Sequence, residues 1–381
     1  MRLLVVMPGF DLGGITTSAI NFCTEMSRTG KHVDLLVMDR TTVNIAGVNQ
    51  IQIEGMRSYW NLSFNDIKQA RWYNIGLLIG LAFLKKMLNK SGKWLPVIFH
   101  NYHLPKHYDV VMAFRQTGAC YYFASHCVKA DKSIALIHGN LHYMHETKTW
   151  DYMFPLFDKI ACVSNAVSED FKEAFPAVAD RICALYNMFD VEGIKAKSCE
   201  DCPIKVDQSK INIVTVSRID LWHKKINRIS EACAELKKRG VNNFHWYIVG
   251  DGPALEENVQ LSQTLGVYDL ITFCGAMSNP FSLQVQCDFS VLTSITEAYS
   301  MAVIESKILC KPIVVMRYAG IEEALKDGEE GIVVEQSVDA LCDAIYRLVT
   351  DNTLLSQLTE NLIKKPYTND ICHSQFMALL K

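Results

Sequence analysis

Two glutamates, Glu297 and Glu305, stand eight positions apart in the segment SITEAYSMAVIESK. Between them, Ser300 is placed to cap a helix that begins near Met301, and the N–H groups from Tyr299 onward would then point out of its positive end. Such a helix end can hold an anion. Carboxylates repel a phosphate, so the two glutamates are not expected to bind the anion itself. The pattern instead favours a role in which each glutamate accepts hydrogen bonds from ligand hydroxyls, on either side of a phosphate-sized space.

Cationic side chains occur in a segment that precedes the glutamates. SRIDLWHKKINR contains Arg218, Lys224 and Lys225 ahead of a predicted helix, and VGDGPALEE contains a small-residue turn at Gly250. Guanidinium and ammonium groups can hold a diphosphate. A molecule that offers hydroxyls, a diphosphate and further hydroxyls is a nucleotide sugar, so the combined motifs favour that class of ligand.

A glycine pair near the start of the chain offers a second place for a ligand. Gly13 and Gly14 follow the first predicted strand in PGFDLGGITTSAIN, where they would let the backbone approach a ligand at the mouth of a helix. The segment is not G-x-G-x-x-G. Asp39, at the end of the second predicted strand, is therefore interpreted as a turn former and not as the ribose ligand of a dehydrogenase.

These motifs follow short apolar runs that are predicted as strands. The runs form two series, at 2–8, 32–39, 108–114, 133–139 and 159–164, and then at 211–217, 244–250, 270–275, 287–293, 311–316 and 331–335. Helical patterns lie between several of them, most clearly at 228–240. Each series predicts a doubly wound parallel sheet, and ligands bind at the carboxyl ends of such strands. The sequence therefore predicts an α/β protein with two Rossmann-like domains facing each other across a cleft.

The chain length of 381 residues also suits two domains. We expect an N-terminal acceptor-binding domain at 1–190 and a C-terminal donor-binding domain at 191–365, with 366–381 packing back toward the first. Hydrophobic residues make up 49% and charged residues 21%, which is typical of a soluble globular protein. Thirteen cysteines without regular spacing indicate free thiols in a reducing cytoplasm, because the apolar start is shorter than a signal peptide's.

Charge and metal-ligand patterns exclude several partners. The first 190 residues carry 19 Lys and Arg against 16 Asp and Glu, and the rest carry 19 against 25, so neither half predicts nucleic-acid binding. The pair Cys199 and Cys202 lacks a second pair with metal spacing, so no metal site is expected.

The stretch 66–93 has six basic residues, one acidic residue and an apolar centre. It is either a peripheral contact with an anionic membrane surface or a core helix with a solvated basic end.

The ensemble of motifs resembles the retaining glycosyltransferases of family 4, which have the GT-B fold. The resemblance rests on GG, SRID…KK, IVGDGP, FCGAM and E-x7-E followed by KPIVVMRYAGIEEALKDGEEGIVVE, and it is denser in the C-terminal half. It implies that Glu305 holds the nucleotide ribose and that Glu297 lies against the donor sugar. Arg218 would hold the diphosphate with Lys224 or Lys225, and the match of KKINRI to the family's KNIDRL favours Lys224.

The resemblance further marks His138 in ALIHGN, which would hydrogen-bond the hydroxyls or a phosphate oxygen of the donor. It implies a metal-independent, cofactor-free transfer with retention. Uridine is the commonest base in similar enzymes, so the expected donor is a UDP-sugar, and the expected acceptor is a glycan or lipid-linked hydroxyl in bacterial surface polysaccharide synthesis. Where the family often has Gly-Phe-Pro-Leu, this chain has AYSM, which keeps the backbone donors. The alternatives are a nucleotide-sugar epimerase of the same fold and a catalytically silent nucleotide-sugar-binding subunit.

Overall fold

The structure is a computed structural model, and it describes residues 1–10, 13–39, 43–52, 102–141 and 151–381. The chain forms two compact units. The first unit is Met1–Phe189 together with Ile371–Lys381, and the second unit is Asp190–Asp370. The stretch 66–93, with its predicted membrane contact, lies outside the described residues.

The first unit is built on a parallel sheet with the strand order β3-β2-β1-β4-β5-β6-β7. Its strands are β1 (Arg2–Met7), β2 (His32–Val37), β3 (Val48–Gln52), β4 (His107–Ala113), β5 (Lys129–Ile137), β6 (Lys159–Cys162) and β7 (Ile182–Ala184). The helices described along this part of the chain are α1 (Gly14–Arg28), α2 (Gly118–His126) and α3 (Asn165–Ala174).

The second unit repeats the arrangement in a parallel sheet with the order β10-β9-β8-β11-β12-β13. Its strands are β8 (Ile211–Val216), β9 (Phe244–Val249), β10 (Ile271–Gly275), β11 (Phe289–Leu292), β12 (Ile313–Met316) and β13 (Gly331–Val334). The helices from here to the end of the chain are α4 (Val191–Ser198), α5 (Asn227–Lys238), α6 (Leu255–Thr264), α7 (Phe281–Gln284), α8 (Met301–Ile308), α9 (Ile321–Ala324), α10 (Val338–Thr350), α11 (Asn352–Lys364) and α12 (Asp370–Leu379).

Both sheets have a topological switch point, where the strand order reverses beside the first strand of the unit. It lies between β1 and β4 in the first unit and between β8 and β11 in the second. The interior strands are nearly continuous runs of buried Val, Ile, Leu and Phe, because helices cover both faces of a doubly wound parallel sheet. The loops that follow these paired strands are where such folds bind ligands.

The predicted α/β class is correct, and the eleven predicted strands all occur. Two further strands, β3 and β7, were not predicted. Both are edge strands of the first sheet, and β3 has three polar side chains among its five residues. An edge strand is buried less than an interior one, so β3 lacks the continuous apolar run on which the prediction depended. The strand β7 is apolar but has only three residues, fewer than any run that was predicted as a strand.

The last helix, α12, packs on α1 and on the chain that follows β7. His373 Nε2 lies 2.7 Å from Glu25 Oε1 on α1. The rings of Phe376 and Phe22 pack edge to face with centroids 5.6 Å apart. Gln375 Oε1 accepts the backbone N–H of Tyr186 at 2.9 Å. These contacts explain why the end of the chain belongs to the first unit.

The cysteines are free thiols throughout, including the partly buried Cys202 and the exposed Cys199. Among the described residues, no group of three or more His, Cys, Asp or Glu side chains is arranged to hold a metal ion. In the same part of the chain, no helix combines the length and the apolar character needed to cross a membrane.

Candidate functional site

The loop after β8 is organised around the buried carboxylate of Asp220. Arg218 donates to Asp220 Oδ2 through Nε at 3.1 Å and Nη2 at 2.7 Å. Oδ1 accepts the backbone N–H groups of Trp222, His223 and Lys224 at 3.1, 2.7 and 2.9 Å. Burial alone would raise the pKa of Asp220, but these N–H and guanidinium donors outweigh it and lower the pKa. The residue is therefore an anion at neutral pH.

The loops after β8 and β11 are joined at the switch point of the second unit. Lys224 Nζ lies 2.5 Å from Glu297 Oε1, and the two side chains are 25% and 13% exposed. Thr293 Oγ1 donates to the carbonyl of Lys224 at 2.7 Å, and the N–H of Ile295 donates to the carbonyl of His223 at 2.9 Å. The loop after β8, which carries Lys224, and the loop after β11, which carries Glu297, are therefore held together by these three contacts.

Gly250, which we predicted at a ligand-binding turn, packs against the backbone of the Arg218 loop. It has φ +144°, and an added Cβ would lie 1.8 Å from the carbonyl oxygen of Ser217. A Cβ on Gly252 would lie 2.2 Å from the carbonyl oxygen of Ile219. Glycine is needed at both places because any side chain would displace this loop.

Helix α8 begins at Met301 with Ser300 as its N-cap residue, as predicted. The predicted side-chain cap is wrong, because the Ser300 hydroxyl makes no capping hydrogen bond. Ser300 is only 2% exposed, and it lies beside Tyr318, whose pKa is raised by burial. Within the described chain, no side chain or loop carbonyl accepts the N–H groups of Met301 and Ala302, so this helix end can receive an anion.

Glu305 is a half-buried carboxyl group one turn inside α8. Burial is the cause that raises its pKa to about 7, and no cation or hydrogen-bond donor of the described residues opposes it. An acceptor left without donors in this way is an open position for ligand hydroxyls. Tyr299 is 8% exposed, so its ring belongs to the core and only its backbone is placed to take part in the site.

Lys225 differs from Lys224 in both backbone and side chain. Its φ is +50°, a conformation that residues other than glycine adopt at an energetic cost and that occurs often at functional sites. Its carbonyl accepts the N–H of Arg228 in the turn that starts α5. Its ammonium group forms no ion pair with a described residue, whereas that of Lys224 is paired with Glu297. Both lysines are placed in the same loop as Arg218.

Sequence reasoning missed the side chains that support the Glu297 loop. Arg228 Nη1 donates to the carbonyl of Thr293 at 3.3 Å and to Gln336 Oε1 at 2.5 Å. Gln336 Nε2 in turn donates to the carbonyl of Ser294 at 3.0 Å. Arg228 and Gln336 are 108 positions apart, and no local pattern indicates that they meet.

His138 directly follows β5 in the first unit and is fixed by the loop after β4. Its backbone N–H donates to Gln116 Oε1 at 2.5 Å, and its Nε2 lies 2.9 Å from the carbonyl oxygen of Phe114. A carbonyl only accepts, so Nε2 carries the hydrogen and Nδ1 is left as an acceptor. Burial is the main cause that lowers the pKa of His138 to about 4. The hydrogen bond to Phe114 raises the pKa, and the charge of Arg115 lowers it further. This neutral tautomer suits a ligand hydroxyl but not a phosphate oxygen.

The glycine pair of the first unit lies at the start of α1. Gly13 is the N-cap residue, with an extended backbone, and an added Cβ there would meet nothing within 4 Å. Gly14 is the first helical residue. No described protein atom requires glycine at 13, so the predicted role toward a ligand stays a prediction. Gly13, Gly14 and His138 belong to the first unit, and the remaining predicted site residues belong to the second.

The architecture is similar to that of solved glycosyltransferases over its whole length. A mutant of S. aureus TarM, solved in complex with Fondaparinux, alpha-GlcNAc-glycerol and UDP, matches with a TM-score of 0.73 and 14% sequence identity. The match covers 100% of this chain and 99% of that chain. The two parallel sheets have the topology described above, and the match extends over both chains. Together these two observations identify the GT-B fold.

Residues 203–365, most of the second unit, match the family Glycosyl transferases group 1. Alpha-D-kanosaminyltransferase of Streptomyces kanamyceticus is 32% identical over 139 residues, 36% of this chain and 36% of that protein. N-acetylgalactosamine-N,N'-diacetylbacillosaminyl-diphospho-undecaprenol 4-alpha-N-acetylgalactosaminyltransferase of Campylobacter jejuni is 28% identical over 204 residues, 53% of each chain. The chain thus spans about a third to a half of the length of these relatives.

Proposed function

We propose that this protein is a retaining glycosyltransferase that moves a sugar from a nucleotide sugar to a hydroxyl acceptor. The observation that carries the proposal is the constellation at the switch point of the second unit. There the loop of Arg218 and Lys224 is joined to Glu297, and the next helix, α8, has an open N-terminus and the unpaired carboxyl of Glu305. Cations and N–H donors can bind the diphosphate of a nucleotide sugar, and carboxylates can accept hydrogen bonds from its hydroxyls.

Each group has a role in the proposed reaction. Glu305 accepts hydrogen bonds from the ribose, and Glu297 accepts them from the donor sugar. Arg218, Lys224 or Lys225 and the N–H groups at the start of α8 stabilise the negative charge that develops on the departing diphosphate. An oxocarbenium-like centre forms on the sugar, the acceptor hydroxyl attacks the face from which the diphosphate leaves, and a departing phosphate oxygen takes its proton. The side chains supply the positive charge that a metal ion supplies in other transferases.

We further propose UDP as the nucleotide and a glycan or lipid-linked hydroxyl as the acceptor. The UDP of the TarM complex supports the first choice. The diphospho-undecaprenol in the name of the Campylobacter relative supports the second, and it is consistent with synthesis of a bacterial surface polysaccharide. The free thiols support a cytoplasmic location, with a peripheral membrane contact through 66–93 as a separate hypothesis.

The first experiment is a thermal-shift panel of nucleoside diphosphates and their sugars, followed by transfer assays in EDTA. A ligand at 100 times its Kd stabilises the folded state by about 2.7 kcal/mol. We expect UDP and at least one UDP-sugar to raise the Tm, and transfer to a hydroxyl acceptor to survive EDTA. Abolition by chelator with recovery in Mg²⁺ or Mn²⁺ would contradict the cationic role given to the side chains.

The same panel separates the two other functions that the motifs allow. An epimerase would isomerise a UDP-sugar when no acceptor is present. A silent binding subunit would be stabilised by UDP and yet release none from any UDP-sugar, with or without acceptors. The unpaired Glu305 is common to all three functions, so the product analysis decides among them.

A further inference from the structure

Asp220 has a different set of partners on each of its carboxylate oxygens. Oδ2 accepts two hydrogen bonds from Arg218, and Oδ1 accepts three consecutive backbone N–H groups that end at Lys224. The Asp220 side chain is 5% exposed, whereas that of Arg218 is 64% exposed. The buried carboxylate of Asp220 therefore holds the exposed guanidinium of Arg218 through Oδ2 and the backbone of Lys224 through Oδ1.

We propose that Asp220 is a positioning residue that presents Arg218 and Lys224 together to the diphosphate, an inference that rests on the function proposed above. An arginine on a surface loop must give up side-chain freedom when it binds an anion. Asp220 removes much of that cost beforehand, because it fixes the guanidinium through two donors. The other guanidinium N–H groups stay available for phosphate oxygens.

The proposal distinguishes a carboxylate from an amide at this position. In Asp220→Asn, the side-chain oxygen can still accept the three backbone N–H groups, so the loop keeps its main-chain support. The amide NH₂ would then face the N–H groups of Arg218, which places donor against donor and releases the guanidinium. This variant therefore separates the positioning of Arg218 from the folding of the loop.

The test is a double-mutant cycle, with calorimetric titration of UDP into the full chain. Because a guanidinium released from Asp220 must be ordered again when UDP binds, we expect Asp220→Asn to raise the Kd for UDP about tenfold. In an Arg218→Ala background, the same change should alter the Kd by less than about twofold, since the two residues act as one. The control is Asp343→Asn, which breaks an Asp–Arg pair with Arg239 on the surface of α10 and should leave the Kd unchanged.

Several outcomes would overturn the proposal. An unchanged Kd in Asp220→Asn, or the same fold-change in both backgrounds, would mean that Asp220 does not act through Arg218. If Asp220→Asn does not fold, Arg218→Lys replaces it, because lysine keeps the charge but cannot repeat the two-donor contact. A Kd for UDP like that of the unmodified chain would then refute the positioning role. Failure of the unmodified chain to bind any nucleoside diphosphate would instead refute the proposed function, and the Asp220 role with it.

Discussion

The Nζ atom of Lys224 lies 2.5 Å from Oε1 of Glu297, and this ion pair joins the loops after β8 and β11. Both side chains are largely buried, so the pair is screened less than a surface ion pair. A ligand diphosphate would compete with Glu297 for the same ammonium group. The two loops are also joined by the Thr293 hydroxyl and the Ile295 N–H, so their relative position does not depend on the ion pair alone.

Glu297 should matter for transfer more than for nucleotide binding. We expect Glu297→Gln to leave the Kd for UDP within about threefold, because Lys224 is released from its partner and stays available to the diphosphate. The transfer rate should fall by at least about tenfold, since a contact with the donor sugar matters most when charge develops on the ring. Calorimetry and initial rates measure the two effects. A loss of UDP affinity as large as that in a Glu305 variant would mean that the two glutamates have been assigned to the wrong parts of the donor.

Asp34 should stabilise the first unit without affecting the site. Its buried carboxylate accepts from Asn49 Nδ2 and from the Tyr108 hydroxyl, each at 2.8 Å, and Lys106 Nζ lies 3.6 Å away. Burial alone would raise the pKa of Asp34, but these donors and cations lower it. Stability from this group is therefore present above the pKa of the unfolded chain, about 3.9, and is lost as the pH falls through the lowered folded value.

Asp34→Asn should accordingly lower the free energy of unfolding at pH 7 by about 1–3 kcal/mol, because it sets an amide donor against other donors. Urea unfolding at pH 7 and at about pH 2.5, well below the pKa of the unfolded chain, checks this, and the difference between native and variant should shrink at the lower pH. UDP affinity serves as the internal control. A variant that matches the native chain in urea would show that the network contributes nothing measurable.

The sequence predicted the interior of both sheets because those strands are continuous apolar runs that local composition reveals. It also predicted that Arg218, Lys224 and the two glutamates follow strands that end at the same edge of a sheet, and they do, while their roles toward a ligand stay predictions. The side-chain cap that was predicted at Ser300 and is absent from the structure has a different origin. Residue type identifies a possible cap, but whether the hydroxyl reaches the N–H groups of the helix depends on how this buried side chain is packed.

The supporting side chains were not predictable for the same reason. Asp220 resembles an ordinary turn former until its five hydrogen bonds are known. Arg228 and Gln336 support the Glu297 loop from distant parts of the sequence. The tautomer of His138 depends on the carbonyl of Phe114, 24 positions away. Residue types indicate the chemistry of a site, whereas its orientation follows from tertiary contacts.

His138 should stay neutral across the whole range of ordinary assays. Burial, the main cause, lowers its pKa to about 4, so less than about a tenth of the imidazole is charged at pH 5. We expect the ¹³C resonances of labelled His138, assigned with His138→Gln, to show no titration between pH 5 and pH 9. A midpoint near pH 6.5 would contradict the buried neutral tautomer, and with it the role of Nδ1 as a hydroxyl acceptor.

Glu305 should control the affinity for the nucleotide itself. If it accepts hydrogen bonds from the ribose, Glu305→Gln should weaken UDP by about 1.5–3 kcal/mol, as expected for hydrogen bonds to a charged group. Circular dichroism must first establish that the variant is folded, because the side chain is half-buried in α8. If Glu305→Gln binds UDP as tightly as the native chain does, Glu305 is not part of the nucleotide-binding site.

The pH dependence of UDP binding provides an independent test of the same residue. Burial raises the pKa of Glu305 to about 7 in the ligand-free chain, so a substantial fraction is protonated at neutral pH. Ribose hydroxyls donate best to the ionised form, and binding should therefore lower the pKa and release a proton. The Kd for UDP should fall as the pH rises from 6 to 8, by more than the phosphate's own titration explains. Glu305→Gln cannot titrate, so its Kd should follow the phosphate alone, and matching pH profiles for the two proteins would refute the assignment.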